Sequence, residues 1–362
     1  MTSLIHQKAG SREIQSQLDY FAKHQNTNFP FSFQINSGKS GKHLVFVGAL
    51  HGNEPAGIEA MIKFHRHFVS NNLQLKAGKI TFVLGSPESF VLGERFIDQN
   101  LNRAFINLGN NLVKDNQKET KLGGGLNYET KRATEFYRFF QHQKPDCLLD
   151  FHSVSNGDFK MVIFQNEKSQ NFAQKISPLE IHFLPHVEHL PGSLMELATD
   201  FGSIAIALEC GNHKAKTAPD TALFHLQKTL EYFEMLDLSD FLPVEMESFD
   251  SRIFYQTLSI IKPKPNFKFT NPQATTGTFV KKGEIFATFD SLENLENMEK
   301  SNLQNTNKQE KQTQNSFQSD EKLESERLGI YRANQDCFLM MPDHNPKITD
   351  FDAGFLCARE EL

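Results

Sequence analysis

Two side chains that can bind a metal ion, His51 and Glu54, lie three residues apart directly after an apolar run. That run, residues 44–49, predicts a buried strand, and the apolar spacing of residues 56–68 predicts a helix. The pair therefore lies at the carboxyl end of a strand, where open α/β sheets bind ligands. An imidazole and a carboxylate are two of the three protein ligands of a His₂Glu zinc site. Two solvated side chains would show the same spacing, so the prediction depends on a third ligand.

His152 is the candidate for that third ligand. It follows the apolar run 147–151, which predicts a second buried strand. Parallel strands bring their carboxyl ends to one edge of a sheet, so His152 is expected beside His51 and Glu54. Asp150 lies two residues earlier on the same face of the strand, where it could orient a ligand. A purely structural strand-end aspartate remains the alternative.

Glu209 follows a third apolar run, residues 204–208, and is again an ionisable group at the end of a predicted strand. A carboxylate close to a water on zinc is what a general base requires. A strand-terminal glutamate that faces solvent is the alternative, and it would be preferred if Glu209 stood alone.

A polar segment between these strands contains Arg95, Asn102 and Arg103. Arginine offers a rigid fork for carboxylates, and a cleft can focus a positive field in an acidic protein. The segment therefore predicts an anion-binding site, with a polar loop that carries surface ion pairs as the alternative.

The composition of the chain excludes some classes of function. With 362 residues and a net charge of −6, the chain lacks the basic character of a nucleic-acid-binding protein. No apolar run approaches the roughly 20 residues of a membrane span, and residues 1–25 contain no signal-peptide core. The four cysteines are widely spaced, which favours a cytoplasmic protein with free thiols.

The order of predicted elements divides the chain into two domains. Strands and helices alternate through residues 1–261, which predicts an α/β domain with helices on both faces of its sheet. Short strand-like runs and prolines follow, so residues 262–362 are expected to form a smaller all-β domain. Residues 293–327 are rich in Asn, Gln, Lys, Glu and Ser, and they predict a flexible low-complexity insert.

Four motifs in this order resemble the succinylglutamate desuccinylase/aspartoacylase family, which are zinc amidohydrolases of the metallocarboxypeptidase fold. The motifs are Gly48-Ala49-Leu50-His51-Gly52-Asn53-Glu54, Arg95-Phe96-Ile97-Asp98 with Leu101-Asn102-Arg103, Asp150-Phe151-His152-Ser153, and Leu208-Glu209-Cys210-Gly211. The resemblance implies a mixed, zinc-carboxypeptidase-like sheet flanked by helices, followed by a β-domain.

The resemblance also implies a role for each matched residue. His51, Glu54 and His152 would bind one zinc ion, and Glu209 would be the base and later the acid. Arg95 would polarise the scissile carbonyl and hold the oxyanion.

Three further residues would bind the substrate. Asn102 and Arg103 would hold its α-carboxylate. Tyr331, in the β-domain, resembles a tyrosine that reaches into the substrate site.

Asn100 departs from the family pattern, which has an aspartate before the Leu-Asn-Arg segment. In the wider fold that carboxylate bonds a zinc-ligand imidazole. An amide oxygen can accept the same bond but adds no negative charge, so we expect altered tuning of the metal, or compensation by Asp98 or Asp150.

The resulting functional prediction is zinc-dependent hydrolysis of an N-acyl amino acid, of the succinylglutamate or N-acetylaspartate type. The expected partner is this small-molecule substrate, with no nucleic acid and no membrane, and a homo-oligomer is left open. A zinc carboxypeptidase on the same fold is one alternative. An idle binding or scaffold protein that uses the insert is the other.

Overall fold

The structure is a computed structural model of the chain. It describes residues 12–106, 127–155, 157–178, 180–183, 192–244, 253–290, 328–344 and 354–361. The predicted insert 293–327 lies outside these residues. Within them, no helix is long and apolar enough to cross a membrane.

Backbone contacts divide the chain into two compact units. One consists of Met1–Gln256 with Glu360–Leu362, and the other consists of Thr257–Arg359. The sequence places a domain boundary at residue 262. That boundary stays a prediction, because a division by contacts does not show which part folds independently.

The first unit alternates strands with helices. Its strands are β1 (Ser32–Asn36), β2 (His43–Gly48), β3 (Lys79–Leu84), β4 (Cys147–Val154), β5 (Lys160–Phe164), β6 (Glu180–Phe183), β7 (Ile204–Asn212) and the start of β8 (Ile253–Ile260). Its α-helices are α1 (Arg12–His24), α2 (Ala56–Ser70), α3 (Pro87–Leu92), α4 (Tyr128–Gln143), α5 (Glu167–Ile176), α6 (Leu194–Asp200) and α7 (Ala218–Tyr232), with 3₁₀ turns at Leu101–Arg103 and Leu238–Asp240.

These strands form one mixed sheet in the order β1-β3-β2-β4-β7-β5-β6-β8. The four central strands, β3, β2, β4 and β7, are parallel, whereas β1 and β5 run antiparallel to their neighbours β3 and β7. The predicted α/β class with a mixed sheet flanked by helices is confirmed. The carboxyl ends of β2, β4 and β7 consequently lie side by side.

Phenylalanines fill much of the core beneath this edge. Phe46 on β2 stacks on Phe82 of β3 and on Phe151 of β4, with ring centroids 5.8 and 6.2 Å apart. Helices α2 and α7 pack against each other over this face of the sheet. The central strands are buried along nearly their whole length, which explains why they read as continuous apolar runs.

The second unit consists of short antiparallel strands. They are β9 (Lys268–Phe269), β10 (Thr278–Val280), β11 (Ile285–Thr288), β12 (Ile330–Arg332), β13 (Cys337–Met340) and β14 (Phe355–Glu361). Strand β13 pairs with β10 and β14, and β11 pairs with β9 and β12. A separate apolar cluster that includes Phe269, Phe286 and Leu339 forms its core. A β-rich carboxyl-terminal region, as predicted, is confirmed.

Candidate metal centre and active site

A tight turn after β2 positions the first two candidate ligands. Ala49 adopts a left-handed conformation with φ 51°, which is unusual for a residue with a side chain. Gly52 packs so closely on α3 that a Cβ atom there would lie 2.1 Å from the carbonyl carbon of Ser89. The turn therefore requires glycine at this position, and it buries His51 and Glu54 at the edge of the sheet.

The register of the sheet positions the third ligand and the candidate base. His152 on β4 lies directly opposite Glu209 on β7, and both side chains are buried. Because β4 also pairs with β2, the residues at the ends of three neighbouring strands converge. The structure thus brings together the four residues that the sequence placed at strand ends.

The carboxylate of Glu54 lies at the centre of this group. Its Oε1 is 2.9 Å from Nδ1 of His51 and 3.1 Å from Nη1 of Arg95. Its Oε2 is 2.9 Å from Nδ1 of His152 and accepts a hydrogen bond from the backbone N–H of Ser153 at 3.2 Å. Both imidazoles therefore direct the same ring nitrogen towards one carboxylate.

The opposite nitrogen of each imidazole is held by a different kind of group. Nε2 of His51 lies 3.0 Å from the amide oxygen of Asn100, and Nε2 of His152 lies 2.9 Å from a carboxylate oxygen of Asp150. The expected contact between the amide oxygen of Asn100 and a candidate ligand imidazole is therefore present, whereas its effect on a metal stays a prediction. Of the two predicted compensating residues, Asp150 contacts an imidazole, whereas Asp98 accepts a bond from the backbone N–H of Tyr128.

The Asn100 contacts determine which nitrogen of His51 carries the proton. The same amide oxygen accepts a hydrogen bond from the backbone N–H of Asn102 at 2.9 Å, so this atom is the oxygen rather than the nitrogen. Nε2 of His51 must then donate, and in the neutral ring Nδ1 presents a lone pair to the Glu54 carboxylate. A lone pair that faces a carboxylate at hydrogen-bond distance is satisfied only by a cation or a proton between them.

These features fit a metal ion. The ligand atoms of His51, Glu54 and His152 all lie within 4.8 Å of one another, and the three residues could hold such an ion. Two imidazoles and one carboxylate are a donor set that zinc accepts, with a coordination position left for water. The outer contacts with Asn100 and Asp150 fix both rings, as is usual for metal-binding histidines.

The electrostatic environment shifts the pKa values of the two imidazoles in opposite directions. Burial, reinforced by Arg95, lowers the pKa of His51 to about 4, so this ring is neutral near pH 7. Burial opposes charge on His152 as well, but Asp150 and Glu54 outweigh it and raise the pKa of His152 well above its usual value. Burial by itself would raise the pKa of Glu54, yet the two imidazoles hold it well below the ordinary range. The site is therefore strongly attractive to a positive charge on the His152 side.

Glu209 lies beside this cluster, opposite His152 on the neighbouring strand. Its carboxylate is buried, and among the described residues its Oε2 has no hydrogen-bond partner. Burial is the main reason that the pKa of Glu209 is raised to about 7, and the Glu54 carboxylate adds to this effect. A buried carboxylate oxygen without a partner is a candidate acceptor for a proton from a bound water or substrate.

The segment that contains Arg95, Asn102 and Arg103 lies next to the candidate cluster, because Arg95 contacts Glu54. The Arg95 side chain is 42% exposed although its Nη1 reaches Glu54, so a solute can approach the rest of the guanidinium. Asn102 accepts a hydrogen bond from the backbone N–H of Leu194 through Oδ1. Arg103 is half-buried and donates to the carbonyl oxygen of Asn102. The structure places Arg95 in contact with Glu54 of the candidate cluster. Asn102 lies on the 3₁₀ turn, where its backbone N–H bonds to the Asn100 side chain.

Tyr331 lies in the second unit. Its hydroxyl donates a hydrogen bond to the carbonyl oxygen of Lys262, and its ring packs against Phe267, Phe286 and Phe289. These contacts belong to the β-rich unit itself, and the role of Tyr331 in substrate binding stays a prediction.

Sequence reasoning missed Ser153 and His213 as neighbours of the centre. The hydroxyl of Ser153 lies 2.8 Å from Nδ1 of His213, while its backbone N–H donates to Glu54. The two residues are 60 positions apart, and no local pattern indicates that they meet. They add a polar wall next to the candidate ligands.

The first unit is thus a mixed α/β fold with a buried cluster of two histidines and one glutamate at the edge of its sheet, and this cluster could hold a metal ion. The sequence model of a protein family, the succinylglutamate desuccinylase/aspartoacylase catalytic domain, matches residues 40–234. The chain belongs to this family, and the resemblance predicted from its motifs is confirmed.

Curated relatives match only part of the chain. A succinylglutamate desuccinylase of Pseudomonas paraeruginosa is 32% identical over 128 residues, which are 34% of this chain and 34% of that protein. A protein of Prochlorococcus marinus named "Probable aspartoacylase" is 26% identical over 136 residues, which are 36% of this chain and 40% of that protein. The chain thus matches well under half of the length of these relatives.

Solved structures with a similar fold cover most of this chain. The succinylglutamate desuccinylase from Vibrio cholerae has a TM-score of 0.60 at 15% identity, covering 90% of this chain and 85% of that chain. Murine aminoacylase 3 has a TM-score of 0.55 at 15% identity, covering 90% and 97%. At this identity the likeness concerns the fold alone.

Proposed function

We propose that this protein is a zinc-dependent amidohydrolase that cleaves the amide bond of an N-acyl amino acid and releases a carboxylic acid and a free amino acid. The observation that carries the proposal is the buried cluster of His51, Glu54 and His152, beside a Glu209 oxygen that has no hydrogen-bond partner in the described part of the chain. Membership of a family with deacylases supports the reaction class.

His51, Glu54 and His152 would hold one zinc ion. When bound, the ion supplies a Lewis acid for the amide carbonyl and lowers the pKa of water at the site. Asn100 and Asp150 keep the two rings oriented for this purpose.

Glu209 performs the proton transfers in this proposal. Its carboxylate accepts a proton from the attacking water while the water oxygen bonds to the carbonyl carbon. It then returns that proton to the amide nitrogen as the carbon–nitrogen bond breaks. The unpartnered Oε2 is available for both steps because no group among the described residues bonds to it.

Arg95 stabilises the negative charge that develops on the carbonyl oxygen. One of its N–H groups already bonds to Glu54, and the planar guanidinium offers further donors towards the exposed side. A fixed cation at this position favours the transition state because the charge on oxygen is largest there.

Asn102 and Arg103 would hold the carboxylate of the substrate's amino acid. The side-chain amide of Asn102 carries N–H donors, and Arg103 lies next to it on the same turn. A substrate that carries a free carboxylate gains charge-assisted hydrogen bonds here, so neutral amides should react poorly. Tyr331 is proposed as a further substrate contact.

The test is an assay of the purified full chain with added zinc against a panel of N-acyl amino acids, paired with metal analysis. The panel should include N-succinylglutamate, N-acetylaspartate, an N-acyl amino acid amide, and a peptide that is blocked at its amino terminus and free at its carboxyl terminus. Release of a free amino acid from the carboxylate substrates supports the proposal. Cleavage of the blocked peptide alone would indicate a carboxypeptidase, and a chain without stoichiometric zinc or turnover would indicate a binding protein.

A further inference from the structure

Glu129 is a buried carboxylate that the proposed mechanism does not use. It lies in the first turn of α4 and is 0% exposed. Its Oε1 accepts a hydrogen bond from the backbone N–H of Ile97 at 2.7 Å. Its Oε2 accepts from the N–H groups of Asp98 and Gln99 at 3.1 and 3.3 Å. Three consecutive amides of one loop therefore converge on a single carboxylate.

Reciprocal contacts tie the same loop to the start of α4. Asp98 accepts a bond from the backbone N–H of Tyr128 at 3.0 Å. The side-chain amide of Gln99 donates to Asn127 at 3.3 Å and to Thr130 at 3.0 Å. Loop and helix are thus joined by bonds in both directions, which resists a sliding of one past the other.

The position of Glu129 suits a negative charge in physical terms. Burial of a carboxylate is costly unless hydrogen bonds replace its water, and three backbone donors do so here. The start of a helix also favours a negative group, because its unpaired N–H groups carry partial positive charge. A run of successive backbone N–H groups forms a natural cradle for an anion.

The three anchored residues stand between two groups that contact the candidate centre. Arg95 lies two residues before Ile97 and donates to Glu54, and Asn100 directly follows Gln99 and holds His51. Both contacts arise from a segment with only a 3₁₀ turn, Leu101–Arg103, as regular structure. No strand ladder fixes its backbone, which is held instead by the Glu129 contacts and by the bond from the N–H of Gly52 to the carbonyl oxygen of Arg95.

We propose that Glu129 is a positioning residue that fixes the loop of residues 95–103, so that Arg95 and Asn100 meet Glu54 and His51. The catalytic part of this inference rests on the proposed amidohydrolase function. The anchoring itself does not depend on it, since the hydrogen bonds exist without a substrate.

The main test is the variant Glu129→Gln in the full-length, zinc-loaded chain. Glutamine keeps the size but offers one acceptor oxygen, so at least one of the three loop amides faces an N–H₂ group instead. We expect faster hydrogen–deuterium exchange at residues 97–99. We also expect about 10-fold weaker zinc binding in competition with a chelator, and a loss of up to about 10²-fold in kcat.

A double-mutant cycle with Arg95→Ala distinguishes positioning from general destabilisation. If Glu129 acts through Arg95, Glu129→Gln should lower kcat much less in the Arg95→Ala background than in the wild type. The same cycle is run with Asn100→Ala, and a Glu129→Gln loss that is undiminished in both the Arg95→Ala and the Asn100→Ala backgrounds would overturn the proposal. The matched control is Glu167→Gln, which removes an exposed first-turn carboxylate from α5 and should change none of these quantities.

A second variant covers the case in which Glu129→Gln does not fold. Glu129→Asp keeps the charge and withdraws it by one methylene, so partial loss with a normal melting curve supports positioning. A folded variant of either kind with unchanged amide exchange, zinc affinity and kcat would overturn the proposal. If the wild type hydrolyses no N-acyl amino acid, the proposed function fails, while exchange and zinc binding still decide the role of Glu129.

Discussion

The candidate site is built from two halves that are held in place by different means. One half lies on the strands β4 and β7 and consists of Asp150, His152 and Glu209. The other lies on the loop of residues 95–103 and includes Arg95 and Asn100. The backbone ladder sets the strand half directly, since His152 and Glu209 are opposite each other in register.

The loop half depends on side chains from elsewhere. Glu129 anchors its backbone, and the side chains of Arg95 and Asn100 then contact Glu54 and His51, which lie on the turn after β2. The strand half is thus fixed by backbone pairing of the sheet, whereas the proposal makes the position of the loop half depend largely on one buried carboxylate. It also indicates a division of work in the proposed reaction, with proton transfer on the strands and charge stabilisation on the loop.

The largest expected effect comes from the strand half. Glu209→Gln should lower kcat by about 10²- to 10⁴-fold, because an amide cannot accept the proton of the attacking water. Zinc content should stay stoichiometric, since the three proposed ligands are unchanged. Steady-state kinetics with metal analysis measures both quantities. Glu231→Gln, at a half-buried surface pair with Lys228, is the control, and a retained kcat would remove Glu209 from the mechanism.

The loop half is tested by Arg95→Ala. We expect kcat to fall by about 10²- to 10³-fold as a fixed charge near the carbonyl oxygen is lost. Arg95→Lys should recover part of the loss, because it restores the charge without the planar fork. The exposed Arg138→Ala on α4 serves as control. A change in KM alone would assign Arg95 to substrate binding and would weaken the proposed division of work.

Asp150 in the strand half and Asn100 in the loop half each contact one imidazole, so their substitution compares the two halves directly. Asp150→Asn should weaken zinc binding by about 10- to 100-fold, because a charged partner of His152 becomes neutral. Asn100→Asp should strengthen it by about 10-fold, because His51 gains the negative partner that it lacks. Chelator competition measures both affinities without a substrate. Opposite signs are required, and a shift in the same direction for both variants would contradict this account.

The smallest expected effect concerns the substrate carboxylate. Arg103→Gln should raise KM for N-acyl amino acids by about 10-fold or more, with little change in kcat, since a charge-assisted hydrogen bond is lost in both ground and transition states. The KM of an amino acid amide, which has no carboxylate, should not change. Kinetics with the matched acid and amide substrates would reject the carboxylate clamp if both KM values rose together.

Much of the strand half was predictable because it is local. The run 204–208 is apolar along its length, the run 147–151 is apolar except for Asp150, and an ionisable residue follows each of them. The structure extends these strands to Val154 and Asn212, so His152 and Glu209 lie within the last residues of the ladder rather than beyond it. The error is small because hydrogen-bonded pairing continues while neighbours remain in register.

The loop half was predictable in its residues but not in its support. Arg95, Asn102 and Arg103 are visible as a polar cluster, whereas Glu129 appears as an ordinary first-turn glutamate of α4. Nothing in its neighbourhood along the chain indicates that residues 97–99 will bond to it. The same holds for His213, whose partner Ser153 is 60 positions away.

By itself the sequence determined the type of fold, the edge of the sheet at which the site lies and the identity of its candidate ligands. These features follow from apolar runs and from the residues at their ends, which are local properties of the chain. The packing of the chain brings Asn100 and Asp150 to different imidazoles, places four polar groups around the Glu54 carboxylate, and joins Glu129 to the backbone of the loop. Such contacts join residues distant along the chain, and their distances depend on how sheet, loop and helix pack together.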